Sequence, residues 1–295
     1  MRFLFDPKTT SGDFQDIILP IQNLKNVKTL AFDQLDHFIY WIDGKSIKRT
    51  SVNGLGPIET LLYSHQSVQP VDLVIDPYAR ILFWTCNITN SINATRIIGK
   101  PIMVGSIHHN PQDRPRLLAY HLRTKYVLNA FQFFKKIYII FFKISFFKST
   151  LFWTNHIGYS QIRKISLIPL MKKTTVIKDL RFEVTAIAVD QEMDLLIWFV
   201  SLMNQIEYST LEGYSRQVLY REDSLYPISM AAYDRYLFWI ERDKKSVMKL
   251  PLDLNDGNNK QTIFIKDHPL TDIIAVPQMS KFSSDLYCSV SLVRI

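Results

Sequence analysis

Apolar and polar positions along this chain fall into short runs, and five of those runs centre on a tryptophan. They read Ile39-Tyr40-Trp41-Ile42-Asp43, Leu82-Phe83-Trp84-Thr85-Cys86, Leu151-Phe152-Trp153-Thr154-Asn155, Leu196-Ile197-Trp198-Phe199-Val200 and Leu237-Phe238-Trp239-Ile240-Glu241. Short β-branched and aromatic runs of this kind predict strands. The tryptophans stand 43, 69, 45 and 41 residues apart. A period of about 40–45 residues with room for four strands predicts one β-propeller blade per tryptophan.

The flanks repeat with the tryptophans. Before them lie Leu30-Ala31-Phe32-Asp33, Leu73-Val74-Ile75-Asp76, Ile187-Ala188-Val189-Asp190 and Met230-Ala231-Ala232-Tyr233-Asp234, each an apolar strand closed by an acid. His121 stands where the third repeat would carry that acid. An aspartate at a strand end can accept N–H bonds from the following turn. Third strands follow at Ile47-Lys48-Arg49, Ile92-Asn93-Ala94-Thr95-Arg96, Ile162-Arg163-Lys164-Ile165, Ile206-Glu207-Tyr208 and Val247-Met248-Lys249. Gly54, Gly99, Gly213 and Gly257 then mark turns toward an outer strand. The first strands would line the central channel, and each large indole would fill the space between neighbouring blades.

Five tryptophan repeats leave a sixth blade to be built from the chain ends. Asp272-Ile273-Ile274-Ala275-Val276 reads as one more first strand, and Arg2-Phe3-Leu4-Phe5 as a strand with nothing before it. The expectation is an all-β, six-bladed propeller over 1–276, in which these two strands pair and clasp the ring. Residues 277–295 are then a tail, the truncated start of a following module.

The 69-residue spacing breaks the period. Its excess falls in 126–148, which holds seven of the 19 phenylalanines and no Gly, Pro, Asp or Glu. Lysines at 135, 136, 143 and 148 leave no apolar run long enough for a membrane-spanning helix. Removing these residues restores a 46-residue spacing. The segment is read as a non-native, intron-like insertion.

Composition narrows the function classes. The net charge of +8 comes from scattered Lys and Arg rather than one basic face, which argues against a nucleic-acid partner. Two cysteines, Cys86 and Cys288, make no disulfide framework or metal spacing, and Cys86 reads as a small buried hydrophobe. The N-terminal residues lack the 7–15-residue apolar run of a secretory signal.

No catalytic motif, metal site or cofactor is expected. The first-strand starts offer Val71, Arg114, Arg116 and Pro227, which make no cage for the calcium of a propeller hydrolase. His108-His109 reads as a polar loop. The sequons Asn87-Ile88-Thr89 and Asn93-Ala94-Thr95 are candidate N-glycosylation sites. A ligand-binding face is expected where second-to-third-strand loops meet the entries to the blades. It would carry Asp43, Lys45, Asn90, Asp113, Arg114, Asn155, His156, Glu241 and Arg242, a mixed-charge set poor in aromatics.

The tryptophan tetrads resemble the YWTD propellers of the low-density lipoprotein receptor family. The loops narrow the match: Asp16-Ile17-Ile18-Leu19-Pro20-Ile21, Gln69-Pro70-Val71-Asp72-Leu73, Phe83-Trp84-Thr85-Cys86 and Gln112-Asp113-Arg114-Pro115-Arg116. These look like the fourth extracellular propeller of low-density lipoprotein receptor-related proteins 5 and 6 and of insect Arrow. The resemblance implies a non-enzymatic, extracellular Wnt co-receptor propeller. It would act beside an adjacent propeller and bind Wnt proteins and Dickkopf-type antagonists, and the family pattern carries a sequon at Asn93. Only Asp43 keeps the tetrad's closing acid; Cys86, Asn155, Val200 and Glu241 replace it. The resemblance leaves two other readings open: a structural or cargo-releasing propeller like those of endocytic receptors and nidogens, and, more remotely, a calcium-dependent propeller hydrolase.

Overall fold

The computed structural model describes residues 2–5, 16–17, 27–53, 56–62, 68–129, 143–157, 159–167, 172–253, 260–265, 270–276 and 289–293. The chain starts with β1 (Arg2–Phe5) and β2 (Asp16–Ile17). Blade one is β3 (Val27–Asp33), β4 (Phe38–Asp43), β5 (Ser46–Ser51) and β6 (Glu59–Leu62). Blade two is β7 (Pro70–Asp76), β8 (Ile81–Cys86), β9 (Ser91–Arg96) and β10 (Ile102–His109). Blade three is β11 (Pro115–Asn129), β12 (Lys143–Ile157), β13 (Tyr159–Ser166) and β14 (Lys173–Leu180). Blade four is β15 (Val184–Asp190), β16 (Leu195–Val200), β17 (Gln205–Thr210) and β18 (Gln217–Arg221). Blade five is β19 (Pro227–Tyr233), β20 (Tyr236–Glu241), β21 (Ser246–Pro251) and β22 (Gln261–Ile265). The last strands are β23 (Asp272–Val276) and β24 (Ser289–Val293).

Each blade is an antiparallel sheet of four consecutive strands, so the architecture is an all-β propeller. The terminal strands form a further four-stranded sheet in the order β2-β1-β24-β23. This corrects the expected direct pairing of Arg2–Phe5 with Asp272–Val276. β24 lies between them, with Val293 opposite both Arg2 and Asp272. Part of the supposed tail is therefore a strand, and Cys288 lies outside the described residues. The order has a simple cause: β24 runs antiparallel to both of its neighbours. β23 packs against β19 on one side and β3 on the other, so the first strands follow one another around a closed ring.

One register recurs in every blade. Leu30 faces Trp41, Leu73 faces Trp84, Leu118 faces Trp153, Ile187 faces Trp198 and Met230 faces Trp239. In the terminal sheet Ile273 faces Leu292, so a leucine stands at the tryptophan's place. The five indoles are at most 2% exposed. Each packs into the neighbouring blade: Trp84 joins Tyr40, Ile42 and Ile47 of blade one, and Trp239 joins Ile197, Phe199 and Ile206 of blade four. The core is thus a series of interleaved seams between sheets.

The turns after the first strands carry the expected caps. Asp33 accepts from Leu35 N–H, Asp76 from Tyr78 and Ala79, and Asp190 from Glu192 and Met193. Blade five departs from this. Tyr233, not an acid, pairs with Tyr236, and Asp234 and Arg235 form the turn at φ of 47° and 64°. Two successive left-handed residues are the mark of a two-residue type I′ hairpin. Gly213 is required by space as well as by its φ of +88°, since a Cβ there would meet the Val176 carbonyl oxygen at 2.4 Å. Gly54 and Gly257 lie outside the described residues.

The 126–148 segment enters and leaves through the first hairpin of blade three. β11 and β12 stay paired out to Asn129 opposite Lys143, and residues 130–142 lie outside the described residues. Trp153 keeps its place opposite Leu118, because the extension lies beyond the blade end.

Candidate ligand-binding face

In an up-and-down blade, the start of the first strand, the second-to-third turn and the end of the outer strand all lie at one face of the disc. The tetrads end at that face, and in blades two, three and five the last side chain accepts a backbone N–H there. Asn155 Oδ1 accepts from Arg114 N–H at 2.6 Å, and Glu241 Oε1 accepts from Tyr226 N–H at 2.6 Å. Cys86 Sγ accepts from Gln69 N–H at 3.5 Å. The donor is always the residue just before the first strand. Burial raises the Cys86 thiol pKa, but backbone N–H groups of Gln69, Thr89 and Ile88 and the Thr89 hydroxyl hold it below its usual value. This position is an acceptor site that Asn, Glu and Cys each fill.

The preceding tetrad residue works in the same way. First strands bulge near their starts, at Pro70/Leu73 and Pro115/Leu118, which withdraws N–H groups from the ladder. Thr85 Oγ1 accepts from Asp72 N–H at 3.1 Å and donates to the Arg116 carbonyl at 2.7 Å. Thr154 Oγ1 accepts from Leu117 N–H at 3.1 Å.

These roles revise the expected ligand face. Asp113, Asn155 and Glu241 are buried, with no surface left for a ligand. Asp113 Oδ2 pairs with His108 Nε2 at 2.8 Å and with Arg163, while Oδ1 accepts from Asn155 Nδ2 at 3.1 Å. Glu241 also holds Trp239 Nε1 at 3.0 Å. Asp43 pairs with Lys48 at 2.6 Å. Lys45, Arg114 and Arg242 are exposed, and Asn90 and His156 are half-buried. Arg242 lies over the Tyr226 ring at 4.2 Å.

The face is also less polar than expected. Ile88, Tyr159, Leu202 and Met203 are exposed: Ile88, Leu202 and Met203 lie between second and third strands of blades two and four, and Tyr159 opens the third strand of blade three. Leu202, at 75%, sits in a 3-10 turn (Ser201–Met203) that Asn204 ends at φ 49°. Apolar residues in turns that favour polar ones were the available signal, visible in Asn87-Ile88-Thr89 and Ser201-Leu202-Met203. Exposed apolar side chains at the same face as the exposed Arg114 and Arg242 suit a protein partner.

His108 is on β10 and 5% exposed, not in a polar loop. Burial, together with Lys173, depresses its pKa despite the Asp113 carboxylate. Asn93 is 3% exposed, with Nδ2 bonded to Ser91 Oγ at 3.0 Å and Oδ1 accepting from Ser106 Oγ at 2.6 Å. A glycan there would have to break both bonds and part β9 from its neighbours.

The channel holds acids that the sequence reading did not pick out. Asp72 and Asp272 both contact Thr29 Oγ1, at 2.9 and 3.2 Å. Each also reaches into the next first strand, Asp72 to Leu118 N–H and Asp272 to Leu30 N–H. Burial, followed by the charge of Asp272, pushes Asp72 up to about 7. Asp272 is raised by burial as well. They stand at equivalent positions, one before Leu73 and Ile273, and act as hydrogen-bonded seams between blades. Among the described residues no three His, Cys, Asp or Glu side chains converge as a metal site, and no helix is long and apolar enough to cross a membrane.

No protein-family profile matches the chain. Low-density lipoprotein receptor-related protein 5 of Mus musculus is 29% identical over 271 residues, which is 90% of this chain and 15% of that protein. The Homo sapiens protein is 29% identical over 270 residues with the same coverage. Low-density lipoprotein receptor-related protein 4 of Homo sapiens is 30% identical over 90 residues, 30% of this chain and 5% of its own length. The chain therefore spans a small part of these relatives. Among solved structures, a nidogen/laminin complex matches with a TM-score of 0.59 at 19% identity, covering 88% of this chain and 92% of that one. A gluconolactonase from Xanthomonas campestris matches with a TM-score of 0.61 at 10% identity, covering 94% and 89%. At such identities these two show the fold alone. Fold and sequence together make this chain a β-propeller similar to a segment of low-density lipoprotein receptor-related protein 5.

Proposed function

We propose that this propeller is a non-enzymatic, extracellular ligand-binding module of a Wnt co-receptor, corresponding to the fourth propeller of its relatives. The observation that carries the reading is the similarity to low-density lipoprotein receptor-related protein 5 over 90% of the chain. The exposed Tyr159, Leu202 and Met203, with Arg114 and Arg242 exposed at the same face, supply a surface for a protein ligand. In this reading the sheet of β2-β1-β24-β23 acts as the sixth blade and clasps the ring. Segment 126–148 is additional to the propeller, since the blade keeps its register without it.

Wnt proteins and Dickkopf-type antagonists are the proposed partners, engaged together with an adjacent propeller. The test joins this propeller to its preceding one and measures binding of both ligands at a sensor surface. Tyr159→Ala with Leu202→Ala should weaken one of them at least about tenfold, or about 1.4 kcal/mol. Unchanged affinity for both, with the fold intact by circular dichroism, would sink the assignment.

A further inference from the structure

We infer that Asn87, and not Asn93, is the N-glycosylation site of the folded protein, so the glycan stands on the ligand-binding face. The inference rests on the extracellular reading only for the compartment in which the modification occurs. Both sequons satisfy the Asn-X-Thr pattern, and they lie within one hairpin, β8 to β9. The structure separates them.

Asn93 sits mid-strand on β9, flanked by β8 and β10. Its amide makes two side-chain hydrogen bonds, at 3.0 and 2.6 Å, inside the sheet. An Nδ2 that carries a sugar keeps one hydrogen, and the attached ring would need space that β10 occupies. Asn87 is the first residue after β8, in the turn that closes at Asn90 with φ 48°. Its backbone N–H is anchored to the Gln69 carbonyl at 3.0 Å, which sets the residue at the end of the blade. The adjacent Ile88 and Thr89 are exposed, so this turn offers a branched sugar an open path to solvent.

The reaction needs a lipid-pyrophosphate-linked oligosaccharide as donor. The Asn87 Nδ2–C1 bond forms and the C1–O bond to pyrophosphate breaks. One amide proton is lost, and the lipid pyrophosphate leaves. Transfer takes place on the unfolded chain, so both sequons are open to the enzyme at that stage. A chain modified at Asn93 cannot then close β8-β9-β10, and it drops out of the folded, secreted pool. The Asn87 glycan covers the Ile88 sector and leaves Tyr159, Leu202 and Met203 of blades three and four for the protein ligand.

The experiment secretes the full chain from animal cells behind an added leader. Peptide:N-glycosidase treatment then converts each glycosylated Asn to Asp, and fragment-ion spectra of the 87–93 peptide locate the conversion. Conversion at 87 alone is the expected result. Asn87→Gln and Thr89→Ala should each abolish the mass shift, whereas Asn93→Gln should keep it in whatever folded protein is secreted. Conversion at 93 in folded protein, or secreted protein with no glycan, overturns the inference. Because the leader supplies the compartment, these outcomes do not depend on whether Wnt or Dickkopf binds.

Discussion

In blade five the first hairpin turns in two residues, Asp234 and Arg235, whereas in blade three the same hairpin runs on to Asn129 and Lys143. The packed parts of the two blades are nonetheless alike. Trp153 and Trp239 are both fully buried, each facing its first-strand partner and each filling the seam with the preceding blade. At the opposite end, Asn155 and Glu241 catch the N–H groups of Arg114 and Tyr226. Hairpin length at one face is thus uncoupled from the register and capping that hold the blade. A strand extended beyond the sheet adds rungs without moving the existing ones.

The severest test of that uncoupling is removal of the indoles. Trp153→Ala and Trp239→Ala should each cost about 3–5 kcal/mol, measured by urea denaturation. Nearly equal losses are expected; a much smaller loss in blade three would mean that its extension had loosened the seam.

Next in size is the charge network of Asp113, which ties His108 of blade two to Arg163 and Asn155 of blade three. Asp113→Ala strands Arg163, His108 and the Asn155 amide, and should destabilise by about 2–3 kcal/mol. Asp113→Asn should recover part of that loss, because one acceptor oxygen remains.

The caps should follow at about 1–3 kcal/mol. Glu241→Ala leaves both Tyr226 N–H and Trp239 Nε1 without their acceptor, so it should cost more than Asn155→Ala measured in the Asp113→Asn background. Blade four manages with Val200 at this position, which bounds the effect well below the loss of an indole.

The smallest effect is on pH dependence, at the channel seams flanking these blades. Asp72 links blade two to Leu118 of blade three, and Asp272 links the terminal sheet to Ser229 of blade five and Leu30 of blade one. The folded-state pKa of Asp72, about 7, lies above its unfolded value, so folding favours the protonated form. The penalty for the buried charge is full above pH 7 and fades as pH falls through 7 toward the unfolded pKa near 4. Wild-type denaturation midpoints should therefore gain on Asp72→Asn midpoints between pH 8 and pH 5.5. Parallel pH profiles for the two proteins would exclude Asp72 as the titrating group.

Much of this was legible along the chain. The tryptophan spacing identified the blades, and the aspartates Asp33, Asp76 and Asp190 announced their turns. The first-strand acid of blade five was misread, because Asp234 lies one residue beyond the strand end and the type I′ turn needs no cap. Burial of Asp113, Asn155, Glu241 and Asn93 was not legible. Each is a polar residue whose hydrogen-bond partner comes from another part of the sheet, and only the folded blade shows that this partner is a backbone N–H or another side chain.

The sequence by itself determined the repeat: the strand runs, the tryptophan spacing and blades one to five all follow from local pattern. Only the tertiary structure decided what sits between β1 and β23, which acids meet at Thr29 and which sequon asparagine is buried in the sheet. Those outcomes depend on contacts between residues far apart in the chain, such as Thr29 and Asp272 at 243 positions, and no local periodicity encodes them.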